Sequence, residues 1–220
     1  AVIGGHTEVT PELTHPIIVG YCVGITKKGD YVTSGGAKAG DQLILTKTAG
    51  MEGTAILATE KIEKLKNAID DETLISAQNF IEKISVVDDA LTAFQCGGVN
   101  AMHDPTEGGI LGGIHEMADA SKLGVKVYRG KIPIAKETLR ICNFFGIDPL
   151  QLISSGALLI AARKSMSQEI VEELKVRGIN ASIIGEFVKD RERRVLIEEN
   201  GEERPLPMPE CDHLWIALRK

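Results

Sequence analysis

Residues 42 to 58 read QLILTKTAGMEGTAILA and open a pattern of strand followed by helix. Residues 42–47 are apolar enough for a buried strand, and the apolar spacing becomes helical after Gly50. A strand, a glycine-bearing loop and a helix therefore follow one another. Such a succession predicts helices packed on a sheet.

The same alternation extends through the rest of the chain. The apolar, β-branched run at 16–26 predicts a strand buried on both faces, and Asn200-Gly201 predicts a turn within the last strand-rich segment. The whole pattern favours an α+β fold with helices packed on one mixed sheet. Further strands are predicted over 99–104, 124–130, 156–164, 181–188 and 193–204, and further helices over 73–84, 88–94, 108–124, 135–146 and 167–178.

Composition narrows the functional classes. The 220 residues carry a net charge of −6, which argues against a broad nucleic-acid-binding face, since phosphate contacts need clustered Lys and Arg. The sequence shows no signal segment and no apolar run of the ~20 residues that span a bilayer. Its four cysteines form no CxxC pair, so we expect neither a zinc site nor a disulfide framework. These features predict a cytoplasmic protein without a nucleic-acid or membrane partner.

Three glycine-containing motifs are candidates for a binding site. The first is GGHTE, residues 4–8, where two glycines permit close approach to a ligand and the polar residues could meet metal or phosphate. An ordinary strand-ending turn fits the same residues.

The second motif is TKTAGMEGTA, residues 46–55, which offers one cation and backbone amides before a helix. It lacks the lysine of the GxxxxGK[ST] pattern, and a plain strand-to-helix turn also fits it.

The third motif is HDPTEGG, residues 103–109. Thr106 is predicted to cap the following helix, with its hydroxyl accepting from the amide of Gly108 or Gly109. Four glycines in two helical turns are costly, at up to ~1 kcal/mol each. They indicate close approach by another backbone segment or by a ligand, and we favour a phosphorylated ligand.

His115, further along this helix, is expected on its surface or at an interface. The thiol of Cys211 is expected to be unreactive.

Four segments, in order and spacing, resemble the aminoimidazole-ribonucleotide (AIR) synthetase superfamily. This superfamily includes the hydrogenase maturation protein HypE, selenophosphate synthetase and thiamine-monophosphate kinase. The part around HDPTEGG is most similar to HypE, although Glu107 stands where HypE has arginine. The segments are residues 3–26, 37–58, 99–121 and 144–162.

The resemblance implies a fold and a reaction. It implies a PurM-like C-terminal domain over 36–220, preceded by the last strands of the ATP-binding N-terminal domain over 1–35. The family's enzymes are dimers that use ATP and Mg²⁺ to activate an amide or carboxamide oxygen or a selenide, with ATP in the cleft between domains. A small-molecule substrate, a homodimer and a maturation-protein partner are therefore expected.

The resemblance also assigns roles to single residues. Asp104 and Thr106 would be catalytic and form the C-terminal domain's wall of the cleft, and Glu8 would bind metal. The residues expected to bind the cofactor are Gly5, His6, Thr7, Lys47, Gly50, Gly53, Gly108 and Gly109.

Two departures from the family keep other functions open. The Mg²⁺–ATP aspartates of the family's N-terminal half do not precede Ala1, so we expect the 220-residue chain alone to be inactive. Nine residues follow Cys211, whereas HypE ends on its reactive cysteine. A non-catalytic accessory or binding protein and a selenophosphate synthetase-like kinase are the alternatives.

Overall fold

The computed structural model describes residues 1–9 and 11–220, and they divide into two units, Ala1–Tyr31 and Val32–Lys220. The described part of the first unit contains no helix or strand, and large apolar side chains such as Ile18 and Ile25 are exposed there. The strand expected over 16–26 is therefore not formed. A strand needs a neighbour to pair its amides and carbonyls, and an apolar sequence does not provide one by itself. The predicted boundary between 1–35 and 36–220 stays a prediction.

The second unit contains a seven-stranded mixed sheet. Its strand order is β2-β4-β1-β5-β3-β6-β7, and every neighbouring pair is antiparallel except β3 with β6. The α+β fold with a mixed sheet is confirmed. The strands are β1 (Gln42–Thr46), β2 (Val99–His103), β3 (Gly124–Tyr128), β4 (Leu159–Ala162), β5 (Ala181–Val188), β6 (Arg194–Ile197) and β7 (Glu203–Pro205).

The helices also follow the predicted alternation. The helix expected over 73–84 is divided into an α-helix and a 3₁₀ helix, Asn79–Lys83. Two shorter 3₁₀ helices are Arg129–Lys131 and Pro149–Gln151. The α-helices are α1 (Met51–Glu60), α2 (Ile62–Leu65), α3 (Asp71–Gln78), α4 (Val87–Cys96), α5 (Gly109–Ser121), α6 (Lys136–Phe145), α7 (Lys164–Val176) and α8 (His213–Arg219).

Both faces of the sheet are covered by helices. In β1, Leu43 and Leu45 belong to the core cluster that contains α5 residues such as Ile114, whereas Ile44 belongs to the cluster that contains Ile170 of α7. Successive side chains of a strand point to opposite faces, so β1 is buried on both. A third core cluster joins α1, α2, α3, α6 and α8.

Candidate functional site

Three loops meet at one end of the sheet. Strands β1 and β2 both run antiparallel to β4, and Leu45 and His103 each pair with Leu159. Because both strands leave the sheet where β4 begins, the loops after them lie beside the segment that precedes β4. Two of the three predicted motifs are in these loops.

The ammonium group of Lys47 is already occupied by the protein. Its Nζ donates to the carbonyls of Lys83, Ser85 and Gly156 at 3.2, 2.7 and 2.9 Å, and lies 3.1 Å from a carboxylate oxygen of Asp89. Lys47 also has a left-handed backbone, with φ 55°. An ammonium has only three protons, so a phosphate at Lys47 would have to displace one of these partners. The predicted role of Lys47 as a phosphate-binding cation stays a prediction.

The two glycines of this loop are explained by the protein's own packing. Gly50 has φ 70°, and its amide donates to Ser154 Oγ at 2.8 Å. A Cβ on Gly53 would lie 2.4 Å from the Leu152 side chain. Clearance for a ligand is therefore not needed to explain either glycine, although their expected part in cofactor binding stays untested.

The predicted cap of α5 is wrong. Thr106 Oγ1 donates to the carbonyl of Asp104 at 3.3 Å. The helix begins after Gly108, whose backbone is left-handed and which has no side chain that could cap the helix. The Gly108 amide instead donates to Asp212 Oδ2 at 2.7 Å. Aspartate is preferred over threonine at helix starts, and its charge interacts favourably with the helix dipole.

The helix glycines likewise contact the chain itself. A Cβ on Gly109 would lie 2.6 to 2.9 Å from backbone atoms of Leu150 and Leu152, and one on Gly113 would lie 2.7 Å from Pro105. The expectation of close approach by another backbone segment is thus met at Gly109. The interpretation of these glycines as clearance for a phosphorylated ligand is not needed to explain them.

Asp104 stands where β2 leads into α5. Partial burial raises the pKa of its carboxyl above the usual range, and the nearby Glu52 carboxylate raises it further. The neighbouring side chains of His103 and Lys47 and a hydrogen bond from the Gly156 amide act in the opposite direction. The net rise indicates that the negative charge at Asp104 is incompletely compensated.

Glu52 supplies a second carboxylate near Asp104. This residue lies in the first turn of α1, and its Oε2 is buried without a hydrogen-bond partner among the described residues. A carboxyl with a raised pKa and a neighbouring carboxylate with an unpartnered oxygen are a donor set suited to Mg²⁺, which proteins bind through one or two carboxylates together with phosphates and waters. The residues present therefore fit a magnesium ion shared with a phosphorylated ligand. No described group of three or more His, Cys, Asp or Glu could hold a metal alone.

The GGHTE motif lies in the first unit. Its described residues are exposed, and His6 Nε2 is 4.0 Å from Glu8 Oε2. The predicted roles of Gly5, His6 and Thr7 with the cofactor and of Glu8 with metal stay predictions.

His115 is buried within the second unit, contrary to the expectation of a position on the helix surface or at an interface. It is 5% exposed, and its Nε2 and Nδ1 lie 3.1 Å from the Pro207 carbonyl and 3.2 Å from Arg194 Nη1. Burial lowers the pKa of its imidazole. The helix pattern put His115 beside Ile114, and both are buried because α5 is covered on more than one side.

A groove of about 1,000 Å³ borders Lys47 and Asp89. Asp89 is 1% exposed, and its Oδ1 has no partner within the described part of the chain. Apolar residues such as Phe80 and Ile134 line the same groove. The groove has the size and mixed lining of a small-molecule site.

Three residues of the region were missed by sequence reasoning. Glu52 carries a familiar signal, an acid in the first turn of a helix. Asp212 precedes α8 and accepts from the amide of Leu214 at 2.7 Å, which is an N-cap pattern. Its bond to Gly108 spans 104 residues, and no local pattern predicts it. Ser154 has no comparable signal.

Comparison with known proteins agrees with this architecture. Residues 38–198 match the family model described as AIR synthase related protein, C-terminal domain. The chain belongs to the AIR synthase-related family. The chain superposes on Escherichia coli HypE with a TM-score of 0.69 at 24% identity, covering 83% of this chain and 54% of that one. The family match and this superposition confirm the resemblance and the PurM-like C-terminal fold.

Two curated relatives of this AIR synthase-related chain are archaeal. A putative hydrogenase expression/formation protein of Methanocaldococcus jannaschii is 31% identical over 95% of this chain and 60% of its own length. Selenide, water dikinase of Methanococcus maripaludis is 29% identical over 91% of this chain and 62% of its own. The chain thus spans about 60% of the length of these relatives.

Across residues 1–9 and 11–220, no helix is both long and apolar enough to cross a membrane.

Proposed function

We propose that this chain works as part of an ATP-dependent phosphoryl-transfer enzyme of the HypE-like, AIR synthase-related type. The enzyme would activate an amide, carbamoyl or similar oxygen of a small molecule through a phosphorylated intermediate. Support comes from the family match, from a relative named for hydrogenase expression and formation, and from a solved HypE in complex with ATP.

The observation that carries the proposal is the pair of carboxylates formed by Asp104 and Glu52. The pKa of Asp104 is raised and one Glu52 oxygen is buried without a partner, so both oxygens can accept a cation. They would hold Mg²⁺ beside the nucleotide phosphates. Bound there, the ion would neutralise charge during phosphoryl transfer, which is the main requirement of that chemistry.

The other residues have supporting roles. The first amides of α5 are already hydrogen-bonded within the protein. The amide of Gly108 donates to the Asp212 carboxylate, and the amide of Gly109 donates to the Thr106 carbonyl at 3.1 Å. These amides orient the loop that carries Asp104, and the contact of Gly108 and Gly109 with the cofactor stays a prediction. Thr106, with its exposed side chain, can still contact a substrate.

We also propose a cytoplasmic homodimer that acts with a maturation-protein partner. A solved complex of HypE with HypF supports such a partner. Glu107 replaces the arginine of the HypE motif, so the partner or acceptor substrate is expected to differ in charge from that of HypE.

The test is ADP release by the full-length protein with ATP and Mg²⁺. Glu52→Gln and Asp104→Asn should each raise the Mg²⁺ concentration needed for half-maximal activity on the order of tenfold. Glu60→Gln, an exposed residue at the end of the same helix α1, is the matched control and should change nothing. Absence of nucleotide binding by calorimetry would refute the proposal. The 220-residue chain alone should show no single-turnover ATPase activity.

A second candidate is a binding or accessory protein that retains the fold without turnover. It is favoured by the saturated ammonium of Lys47 and by the groove at Asp89, which suit ligand binding without phosphate chemistry. Replacing Asp104 and Thr106 by alanine separates the two functions. Unchanged cellular function would favour the accessory role, whereas loss of function with an intact fold would favour catalysis.

Selenide activation is a variant of the first proposal, and ADP release stimulated by selenide would identify it.

A further inference from the structure

A serine, a histidine and a glutamate form a hydrogen-bonded series beside the end of β2. Ser34 Oγ lies 3.3 Å from His103 Nδ1, and His103 Nε2 lies 2.5 Å from Glu116 Oε2. His103 is the last residue of β2, and Glu116 lies in the middle of α5. The three groups come from three separate parts of the chain, so the fold itself assembles them.

The hydrogen bonds determine the roles of the two ring nitrogens. An ionised carboxylate can only accept, so His103 Nε2 carries a proton and donates a hydrogen bond to Glu116. In the neutral imidazole the other nitrogen, Nδ1, is then an acceptor. Its partner is the Ser34 hydroxyl, which donates. This is the order of a nucleophile, a base and a group that orients the base.

The loop that carries Ser34 is held against β2. Thr33 forms a parallel bridge with Ala101, and a Cβ on Gly36 would lie only 2.0 Å from the Asn100 carbonyl oxygen. The backbone on both sides of Ser34 is therefore in contact with the strand that ends at His103. This contact fixes the approach of the hydroxyl to the imidazole, as preorganised catalysis requires.

We propose that Ser34 is a nucleophilic serine, activated by His103 as general base, that takes an acyl group from small uncharged esters. His103 is a catalytic residue in this scheme, and Glu116 is a positioning residue. The side chains of His103 and Glu116 are 23% and 60% exposed, so a small substrate can reach them. An uncharged ester suits the position because the carboxylates of Asp104 and Glu116 flank the imidazole and repel anions.

The reaction proceeds in two balanced steps. Ser34 Oγ bonds to the ester carbonyl carbon while its proton moves to His103 Nδ1. The bond from that carbon to the alkoxy oxygen then breaks, and the departing alcohol takes the proton from His103. Water repeats the sequence on the acyl-serine, which returns Ser34 and releases the acid. The backbone amide of Gly35, which follows the nucleophile directly, would donate to the oxyanion.

The test is covalent labelling of the 220-residue chain by a fluorophosphonate, without ATP or Mg²⁺. Peptide mass spectrometry should show Ser34 labelled about 100-fold faster than Ser165, an exposed serine of α7. His103→Ala should remove this advantage, and added imidazole should restore part of it. Glu116→Gln should slow labelling about tenfold, and hydrolysis of p-nitrophenyl acetate should follow the same order.

The matched control is His15→Ala. His15 Nδ1 lies 3.1 Å from Thr14 Oγ1, so it repeats the hydroxyl–imidazole contact, but no carboxylate contact to its ring is found in the described chain. This variant should label Ser34 at the wild-type rate. Equal labelling of Ser34 and Ser165, or labelling that survives both His103→Ala and His103→Gln in folded protein, would overturn the proposal. Because nucleotide is omitted, failure here leaves the proposed ATP-dependent function untouched, and the reverse also holds.

Discussion

Gly109 has a left-handed backbone, with φ 63°, and the space for a side chain is filled by the backbone of residues 150–152. Gly109→Ala should therefore lower the free energy of unfolding by about 3 kcal/mol, because backbone strain and a steric clash add. Gly178→Ala is the control, since Gly178 has φ 77° but open space around it. It should cost only about 1 kcal/mol. Urea unfolding would measure the loss of stability in each variant. Equal losses would show that the backbone of residues 150–152 moves and relieves the clash at Gly109.

The buried imidazole of His115 makes stability depend on pH. Burial holds its pKa below the ordinary value of 6.5, so the unfolded chain binds a proton more readily than the folded one. The contribution of His115 to stability is then fully present above pH 6.5 and falls as the pH drops from 6.5 toward the folded-state pKa.

Replacement of His115 by glutamine tests this dependence. Between pH 7.5 and 5.5 the free energy of unfolding should fall more in the wild type than in His115→Gln, as followed by urea denaturation. Asp119, whose pKa is lowered from 3.8 mainly by a hydrogen bond from Arg194, loses its contribution only at more acid pH. Parallel curves for the two proteins would contradict the assignment.

Asp212 joins separate elements. This residue is 4% exposed, and its carboxylate accepts from the amides of Gly108, Ile153 and Leu214. Asp212→Ala leaves these amides without their partner and should cost about 3 kcal/mol or more. Asp190→Ala, which removes one exposed bond to the Glu192 amide, should cost about 0.5 kcal/mol. Hydrogen exchange at Gly108 should become faster in the Asp212 variant alone.

The ion pair between Lys47 and Asp89 links the loop after β1 to α4. The side chains are 18% and 2% exposed, so removing the lysine leaves a buried charge unpaired. Lys47→Met should destabilise the protein by about 3 to 5 kcal/mol, and adding Asp89→Leu should recover about half of that loss. Lys126→Met, which breaks the more exposed pair with Glu186, should cost less than about 1 kcal/mol. Chemical unfolding of the wild type and the three variants would test these differences.

The local signals in the sequence predicted most helices and strands. Gly146 ends α6 with φ 58°, and the turn at Asn200-Gly201 joins β6 to β7, both as expected. The failure at 16–26 has a different origin. Apolar, β-branched residues favour a strand, but pairing depends on a neighbour that local sequence does not specify.

At the scale of the whole molecule, the second unit contains its own core. Helices from within Val32–Lys220 cover both faces of the sheet. We therefore expect a chain of residues 32–220 to unfold cooperatively, with a free energy within about 0.5 kcal/mol of that of the 220-residue chain. Thermal and urea denaturation of the two chains would measure the difference. A loss of several kcal/mol would show that residues 1–31 contribute to the stability of that core.

The candidate site was only partly predictable from the sequence. The spacing of HDPTEGG located Asp104 in the loop between β2 and α5, because a proline and two glycines after a strand leave few alternatives. The helix cap was assigned to Thr106 because a local residue could fill it, whereas the fold supplies Asp212. The contact between Ser34 and His103 also depends on residues far apart in the chain, and only the assembled sheet brings them together.

The distance along the chain from Gly108 to Asp212 has a consequence for biosynthesis. The amide of Gly108 receives its carboxylate from a residue made 104 positions later. Domains fold as units while the chain emerges from the ribosome, so the start of α5 waits until the segment that leads into α8 has been translated. During synthesis, the loop that carries Asp104 therefore stays without its cap until residue 212 has left the exit tunnel.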